Sequence, residues 1–311
     1  MKVKQLLKRF IPNSLWSYFR KKSIIKHQEK IATQLVNLVD QCDSGELDAW
    51  QPSPKLTFED GKRIIWQYWA QGFNSDSLPF ITRICLDSVE KHSEGYNLIR
   101  LSDDNLERYI DIPDWLIEKR QKLSLAHFAD IVRCMLLSTY GGLWLDSSVL
   151  LTGTIPDYIF SEGFFMYQRD KNEPNKTYWE NTFAYYFGWD SNFKVNTLNG
   201  IFCARKDNLV IKDMTDMLLA YWKVHDNAID YFFFQILFDL YIKRHPERNC
   251  QIHNDCTPHL LRQIMVLDTT NRPPIYDINV VKKITTIHSL NYKNGLTQTE
   301  ITKMFTDWGL L

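Results

Sequence analysis

The chain has no stretch approaching the ~18–20 consecutive apolar residues that a membrane-spanning helix needs, and its N-terminus has no uninterrupted apolar run of the kind that opens a secretory signal. The expectation is a protein neither integral to a membrane nor exported by that route. Net charge is lacking too. Lys plus Arg and Asp plus Glu number 37 each, which argues against a nucleic-acid coat or an acidic tail while leaving local patches open. Nucleic acid is not an expected partner. Cysteine is scarce and scattered, at positions 42, 85, 134, 203, 250 and 256. Only Cys250 and Cys256 lie close together, at a spacing that suits no zinc motif, and three of the six fall in apolar periodic segments where a buried free thiol is the ordinary outcome. A reducing, cytoplasmic setting is expected. Repeats at a solenoid period and low-complexity tracts are missing as well.

What is present is enough apolar material for a sizeable core: 311 residues, 44% hydrophobic and 14% aromatic, which suits one large domain with an appendage. The appendage is residues 1–55. Before Glu29 it carries Lys2, Lys4, Lys8, Arg9, Arg20, Lys21, Lys22 and Lys26 and no acid, interleaved with Leu6, Leu7, Phe10, Ile11, Leu15, Trp16 and Phe19. That pattern suits a basic helix, lying either on an anionic membrane surface or against the domain itself. Helical spacing resumes over Ile31 to Val39, and "QPSPK" (Gln51 to Lys55) reads as the linker into a domain over 56–311.

From Lys62 the pattern alternates. "RIIWQYW" (Arg63 to Trp69) is a β-branched and aromatic strand, Pro79 opens a helix with Ile81, Ile84, Cys85 and Val89 on one face, and "YNLIRL" (Tyr96 to Leu101) is a second strand. "SDDNLERY" and "DIPDWLIEKR" then read as helices. Strand, helix, strand, helix predicts an α/β fold with a mostly parallel sheet.

The most informative stretch is "ADIVRCMLLSTYGGLWLDSS", residues 129–148. Ser124 is a plausible N-cap, and Leu125, Phe128, Ala129, Val132, Leu136 and Thr139 recur at helical spacing. Ala126, Cys134 and Leu137 make the opposite face apolar too, so Asp130 and Arg133 form a polar island at an i, i+3 spacing and need partners. Tyr140-Gly141-Gly142 ends the helix. Leu143-Trp144-Leu145 is a short buried strand that ends at Asp146, and the carboxyl end of such a strand is where open α/β sheets bind ligands. An intrahelical ion pair of purely structural value accounts equally well for Asp130 and Arg133, and an N-cap role for Asp146.

"HFADIVRCMLLSTYGGLWLDSSVLL" (His127 to Leu151) resembles the signature of the capsular polysaccharide synthesis protein family, related to glycosyltransferase family 32 and its sugar-binding DXD region. "IIWQYWAQG" (Ile64 to Gly72), "DIPDWLIEK" (Asp111 to Lys119), "TLNGIFCARKDN" (Thr197 to Asn208), "IDYFFFQILF" (Ile229 to Phe238) and "IHSLNYK" (Ile287 to Lys293) follow in the family's order, covering about Ile64 to Lys293. The resemblance implies a GT-A-like, Rossmann-like fold and transfer of a sugar from a nucleotide-sugar donor. Acceptors would be a growing capsular or surface saccharide, often lipid-linked. It implies donor-sugar contact by Asp130 and Arg133, a carboxylate accepting from hydroxyls and a guanidinium donating to hydroxyl or phosphate oxygen. It also implies a divalent cation, Mn²⁺ or Mg²⁺, held by Asp146 on the donor diphosphate.

The second acid of DXD is absent, with Ser148 in its place, and His288 is the candidate for completing the metal sphere. Lys293 offers a charge to the diphosphate. Trp66, Tyr68 and Trp69 put at least one ring at the sheet's carboxyl edge, where a base can stack. Asn199 offers its amide near the sugar. Asp230, just ahead of an apolar helix, is either a cap or a ligand contact. The related families retain anomeric configuration, which implies front-face displacement. Two other readings stay open: a non-catalytic sugar-nucleotide-binding or scaffold protein of the same assembly, and a sugar-phosphate transferase.

Overall fold

Strand β1 (Ile64–Tyr68) is buried along its whole length, as a strand inside a parallel sheet covered on both faces must be. The computed structural model describes residues 13–58, 61–74, 78–266 and 277–311, with side chains from residue 15. On one side β1 pairs in parallel with β2 (Asn97–Leu101), and on the other with β3 (Gly142–Leu145). Beyond β3 lie β6 (Thr197–Ala204), antiparallel, and β5 (Phe164–Gln168), antiparallel to β6. The order is β2-β1-β3-β6-β5. β5 therefore runs with β1, β2 and β3, and β6 alone is reversed, so the sheet is mostly parallel, as expected. A ribbon of β4 (Val149–Leu151) and β7 (Ile287–Ser289) continues past the end of β3.

Ten α-helices lie among the described residues: α1 (Asn13–Ser44), α2 (Phe80–Lys91), α3 (Asp114–Lys119), α4 (Leu125–Tyr140), α5 (Lys176–Thr182), α6 (Leu209–Val224), α7 (Phe233–Arg244), α8 (Leu260–Ile264), α9 (Ile278–Ile284) and α10 (Gln298–Asp307). None is long and apolar enough to cross a membrane. Alternation along the strands sorts the apolar side chains into two cores. Trp66, Tyr68, Trp144 and Phe202 join the larger one with α4, α6 and α7; Ile65, Leu143, Leu145 and Ile201 join the smaller one.

One expectation changes, and the N-terminal helix takes up one of the two placements expected of it. "SDDNLERY" forms only a single 3₁₀ turn, Leu106–Arg108. The Asn105 side chain accepts from Ser102 N–H and donates to the Arg100 carbonyl, which favours a local turn over helix propagation. The N-terminal helix, expected as an extension of the domain, contributes Ile24, Ile31, Ala32, Leu35 and Val39 to the larger core. Its far end is pinned by Arg244 to Asp40 and Asp43. Of the basic residues that suggested a membrane-facing helix, Lys2, Lys4, Lys8 and Arg9 lie outside the described residues.

Candidate functional site

α4 is built to be buried. Ser124 caps it, accepting from His127 N–H at 3.2 Å, and nearly every residue from His127 to Thr139 is out of solvent. It ends on Gly141 and Gly142, both at positive φ. A Cβ on Gly142 would stand 2.7 Å from the Ile64 carbonyl, and one on Gly141 2.7 Å from Lys206 N. Only two glycines let the helix turn directly into β3 between its neighbouring strands. Four residues of strand then deliver Asp146 to the carboxyl end of the sheet.

There the polar island finds its partners. Arg133 Nη1 lies 3.0 Å from Asp130 Oδ1 and donates to the Asn199 carbonyl at 2.8 Å, while Nη2 donates to Asp146 Oδ1 at 3.0 Å. Asp146 Oδ1 also accepts from the Trp144 indole at 2.7 Å, and the guanidinium sits 5.1 Å from that ring. The Asn199 amide donates to Asp130 Oδ1 at 2.8 Å, and its own oxygen accepts from Gln235 at 3.0 Å. Asp130 and Arg133 are buried, whereas the Asp146 side chain is 38% exposed. Each carboxylate thus spends one oxygen on the arginine. Neither Oδ2 takes a hydrogen bond among the described residues. Burial pushes the Asp130 carboxyl up to about 7; the Arg133 charge and the Asn199 amide oppose that shift and the Asp146 charge adds to it.

Asp130, Arg133, Asp146 and Asn199 therefore stand together, and the ion pair is not closed within the helix. Asp146 is not an N-cap: among the described residues its side chain accepts only from Arg133 and Trp144. Ser147 donates to the Tyr68 carbonyl and anchors the turn, leaving the half-buried Ser148 hydroxyl without a partner among the described residues.

None of the remaining expected residues hydrogen-bonds to Asp130, Arg133, Asp146 or Asn199 among the described residues. Trp66 has no exposed surface; its indole donates to the Gly141 carbonyl and its ring packs against Phe58, Tyr109 and Tyr140. A ring so enclosed has no face for a base. Tyr68 is buried with its hydroxyl bonded to Asp103, and burial followed by that carboxylate raises its pKa. Trp69, one residue on, is the half-buried ring at the sheet's edge, edge-to-face with Tyr292 at 5.5 Å.

Asp230 caps the turn into α7 through Phe232 N–H and pairs with His27 of α1, so both its oxygens are spent. Lys293 is exposed, its ammonium 5.4 Å from the Tyr292 ring. His288 is fully buried on β7, its Nε2 3.1 Å from the Thr152 hydroxyl, and burial drives its pKa down to about 3. That histidine faces the ribbon and not Asp146.

Among the described residues no cluster of three or more His, Cys, Asp or Glu side chains could hold a metal. The donor set is Asp146 Oδ2 with Ser148 beside it, and room for that oxygen depends on Gly200, where a Cβ would approach it to 2.6 Å. A hard cation held by one carboxylate, with the rest of its sphere from phosphate oxygens and water, fits such a set. A cation held by protein alone does not.

Sequence reasoning passed over Gln235, Tyr231 and Arg262. Gln235 was legible as the one amide in "YFFFQILF". Tyr231 is an exposed residue, yet desolvation by its neighbours and then the charges of Asp130 and Asp146 push its phenol up. Arg262, on α8, has no hydrogen bond or ion pair among the described residues, and the Tyr186 and Tyr231 phenols lie within electrostatic range. No periodicity points to either.

No curated protein matches the sequence. A solved structure described as PaToxG glycosyltransferase is similar over 94% of this chain and 95% of its own, at 14% identity and a TM-score of 0.38. The family model for capsular polysaccharide synthesis protein matches residues 14–307 and so takes in α1 as well as the sheet. With that extent of match, the chain belongs to the capsular polysaccharide synthesis protein family.

Proposed function

We propose that the protein is a glycosyltransferase moving a sugar from a nucleotide-sugar donor onto a growing capsular or surface polysaccharide. The observation that carries this reading is Arg133 held between two carboxylates, each keeping a free Oδ2, at the carboxyl end of β3. In this reading Asp130 Oδ2 accepts from a donor-sugar hydroxyl, and Asn199 and Gln235 hold that carboxylate in register. Arg133 fixes both carboxylates. Asp146 Oδ2, with the Ser148 hydroxyl, would hold Mn²⁺ or Mg²⁺ against the donor diphosphate. The cation supplies neutralisation of the charge that develops on the leaving diphosphate. Trp69 and Tyr292 offer an aromatic edge for the base, and Arg262 and Lys293 offer cations for the diphosphate.

No side chain stands out as a nucleophile, so front-face displacement with retention is the working mechanism. An inverted product anomer, assayed by NMR against the donor, would sink it. Exposed Leu15, Tyr18 and Phe19 at the start of α1, near exposed Lys22 and Lys26, support peripheral contact with an anionic inner membrane face, where a lipid-linked acceptor would sit.

The test is a thermal-shift screen against nucleotide sugars, each with and without Mn²⁺. Saturation at a hundredfold excess over Kd adds about 2.7 kcal/mol. A shift with one donor that grows with the cation is expected. Donor binding that ignores the cation and yields no turnover would favour a non-catalytic scaffold, the reading that the missing second acid favours.

A further inference from the structure

A cavity of about 900 Å³ lies between α1, the segment after it, α3 and the carboxyl-terminal half of α6. Its size falls in the range of small-ligand sites. Its wall combines three aromatic rings, Trp50, Trp115 and Tyr221, with the side-chain amides of Gln34, Asn37 and Gln41. Neither indole N–H nor any of these three amides is engaged by a hydrogen bond among the described residues. Its one lysine, Lys223, pairs with Asp48 at 2.9 Å, and the other acid in the lining, Glu46, has no ion pair among the described residues. A phosphate or nucleotide finds no free cation there, and an acyl or prenyl chain would strand the amides. A saccharide suits both halves of the wall: the C–H faces of its rings lie on aromatic rings, and its hydroxyls pair with amides that can donate and accept.

The place of the cavity fits that ligand. Ile229 lines it, and two residues further the Tyr231 carbonyl meets His127 while the Tyr231 phenol feels the charges of Asp130 and Asp146. Two residues of chain span at most about 7 Å, so the Ile229–Tyr231 segment links the cavity wall to α4, the helix that carries Asp130 and Arg133. We propose that this cavity is a saccharide-binding subsite that grips the acceptor polymer behind the end being extended, with α1 as its outer wall. The inference rests on the glycosyltransferase reading, and it gives α1 a role in recognition as well as packing.

The test is binding of the full-length protein to an array of immobilised bacterial surface polysaccharides and their oligosaccharide fragments. Wild-type protein is expected to bind, Trp50→Ala and Trp115→Ala to bind about tenfold more weakly, roughly one aromatic contact each, and Asp146→Asn to bind as wild type. Gln34→Ala and Asn37→Ala change exposed helix positions that carry no structural bond, so a loss of binding in them cannot be misfolding. Binding lost in Asp146→Asn and kept in the tryptophan and amide variants would put the saccharide in the other site and overturn the inference. Absence of binding across the array would overturn it too. Neither result touches the donor reading, which the nucleotide-sugar thermal shift reports independently.

Discussion

Two buried arginines, Arg133 and Arg169, are equally hidden from solvent at 4% side-chain exposure each, and they are held in opposite ways. Arg169 makes a two-pronged pair with Asp255, Nε to Oδ1 at 2.9 Å and Nη2 to Oδ2 at 2.8 Å, and donates two further hydrogens to the Gly188 and Tyr186 carbonyls. Tyr186, Phe187, Trp189 and Phe193 ring it at 4.8–6.0 Å. Both oxygens of Asp255 are used and the residue is fully buried. Arg133 instead divides itself between two carboxylates, leaves its Nε without a partner, and leaves one oxygen free on each aspartate. A buried charge network that closes on itself can only hold the fold. One that stops short of closing, at the open end of a sheet, is waiting for a ligand.

The sharpest way to break the comparison is to remove one member of each network. Arg169→Ala leaves Asp255 charged and alone in an aromatic cage, and should cost about 3–5 kcal/mol in urea unfolding. Donor affinity of the folded fraction should not move. Asp146→Asn keeps an acceptor for Trp144 and Arg133 and loses only charge, so turnover should fall about 10²–10³-fold. Its midpoint of unfolding should stay within about 0.5 kcal/mol of wild type. Should Asp146→Asn unfold like Arg169→Ala, or Arg169→Ala abolish donor binding, the division between a closed and an open network is wrong.

Acid sharpens it from the other side. His259 packs edge-on against Tyr186 and Phe187 of the Arg169 cage, and neither ring nitrogen is within hydrogen-bond geometry of a partner among the described residues. Burial, and then the Arg262 charge, lowers its pKa from 6.5 to about 4. The folded protein therefore keeps this ring neutral while the unfolded chain takes up a proton below about 6.5. Stability is full above that pH, falls as pH drops towards about 4, and is level below it. The loss is on the order of 3 kcal/mol. His259→Leu should flatten the slope when unfolding midpoints are measured from pH 7 to pH 4, and an unchanged slope would remove the histidine from the account. His288, lowered to about 3 by burial, adds a similar slope that persists in the His259→Leu protein.

The contrast also marks what sequence could and could not convey. α4 was legible because a helix apolar on every face leaves no ordinary place for Asp130 and Arg133, and because Gly141-Gly142 followed by four strand residues fixes where Asp146 arrives. The amides that complete the site were only half legible. Asn199 is 69 positions from Asp130 and 36 from Gln235, and only the packing of β6 between α4 and α7 makes them neighbours. His288 misled because lateness in the chain says nothing of direction: on β7 it sits opposite Leu150 and turns to Thr152. Arg169 and Asp255 gave no signal, since 86 residues separate them and neither lies in a periodic segment. The basic composition of α1 left surface and domain contact equally open, and only Ile24, Ile31, Leu35 and Val39, which share one helical face and join the core, speak for packing.

The smallest expected effect concerns Trp69, just past the end of β1, where period-2 reasoning has least power. A strand buried on both faces shows no polar alternation to say which ring emerges at its end, so Trp66 and Tyr68 looked as eligible as Trp69. In the fold Trp66 fills the core beside the glycine turn, while Trp69 follows the last strand residue and faces Tyr292. Trp69→Ala should weaken binding of the nucleoside diphosphate alone about three- to tenfold, the worth of about 1 kcal/mol of ring stacking, with no change in unfolding midpoint. Trp66→Ala should do the reverse, costing about 3–5 kcal/mol of stability through the cavity it opens and leaving the affinity of the folded fraction unchanged. Isothermal titration of both variants with the diphosphate separates them, and equal affinity losses would mean that the base is held by some other edge of the site.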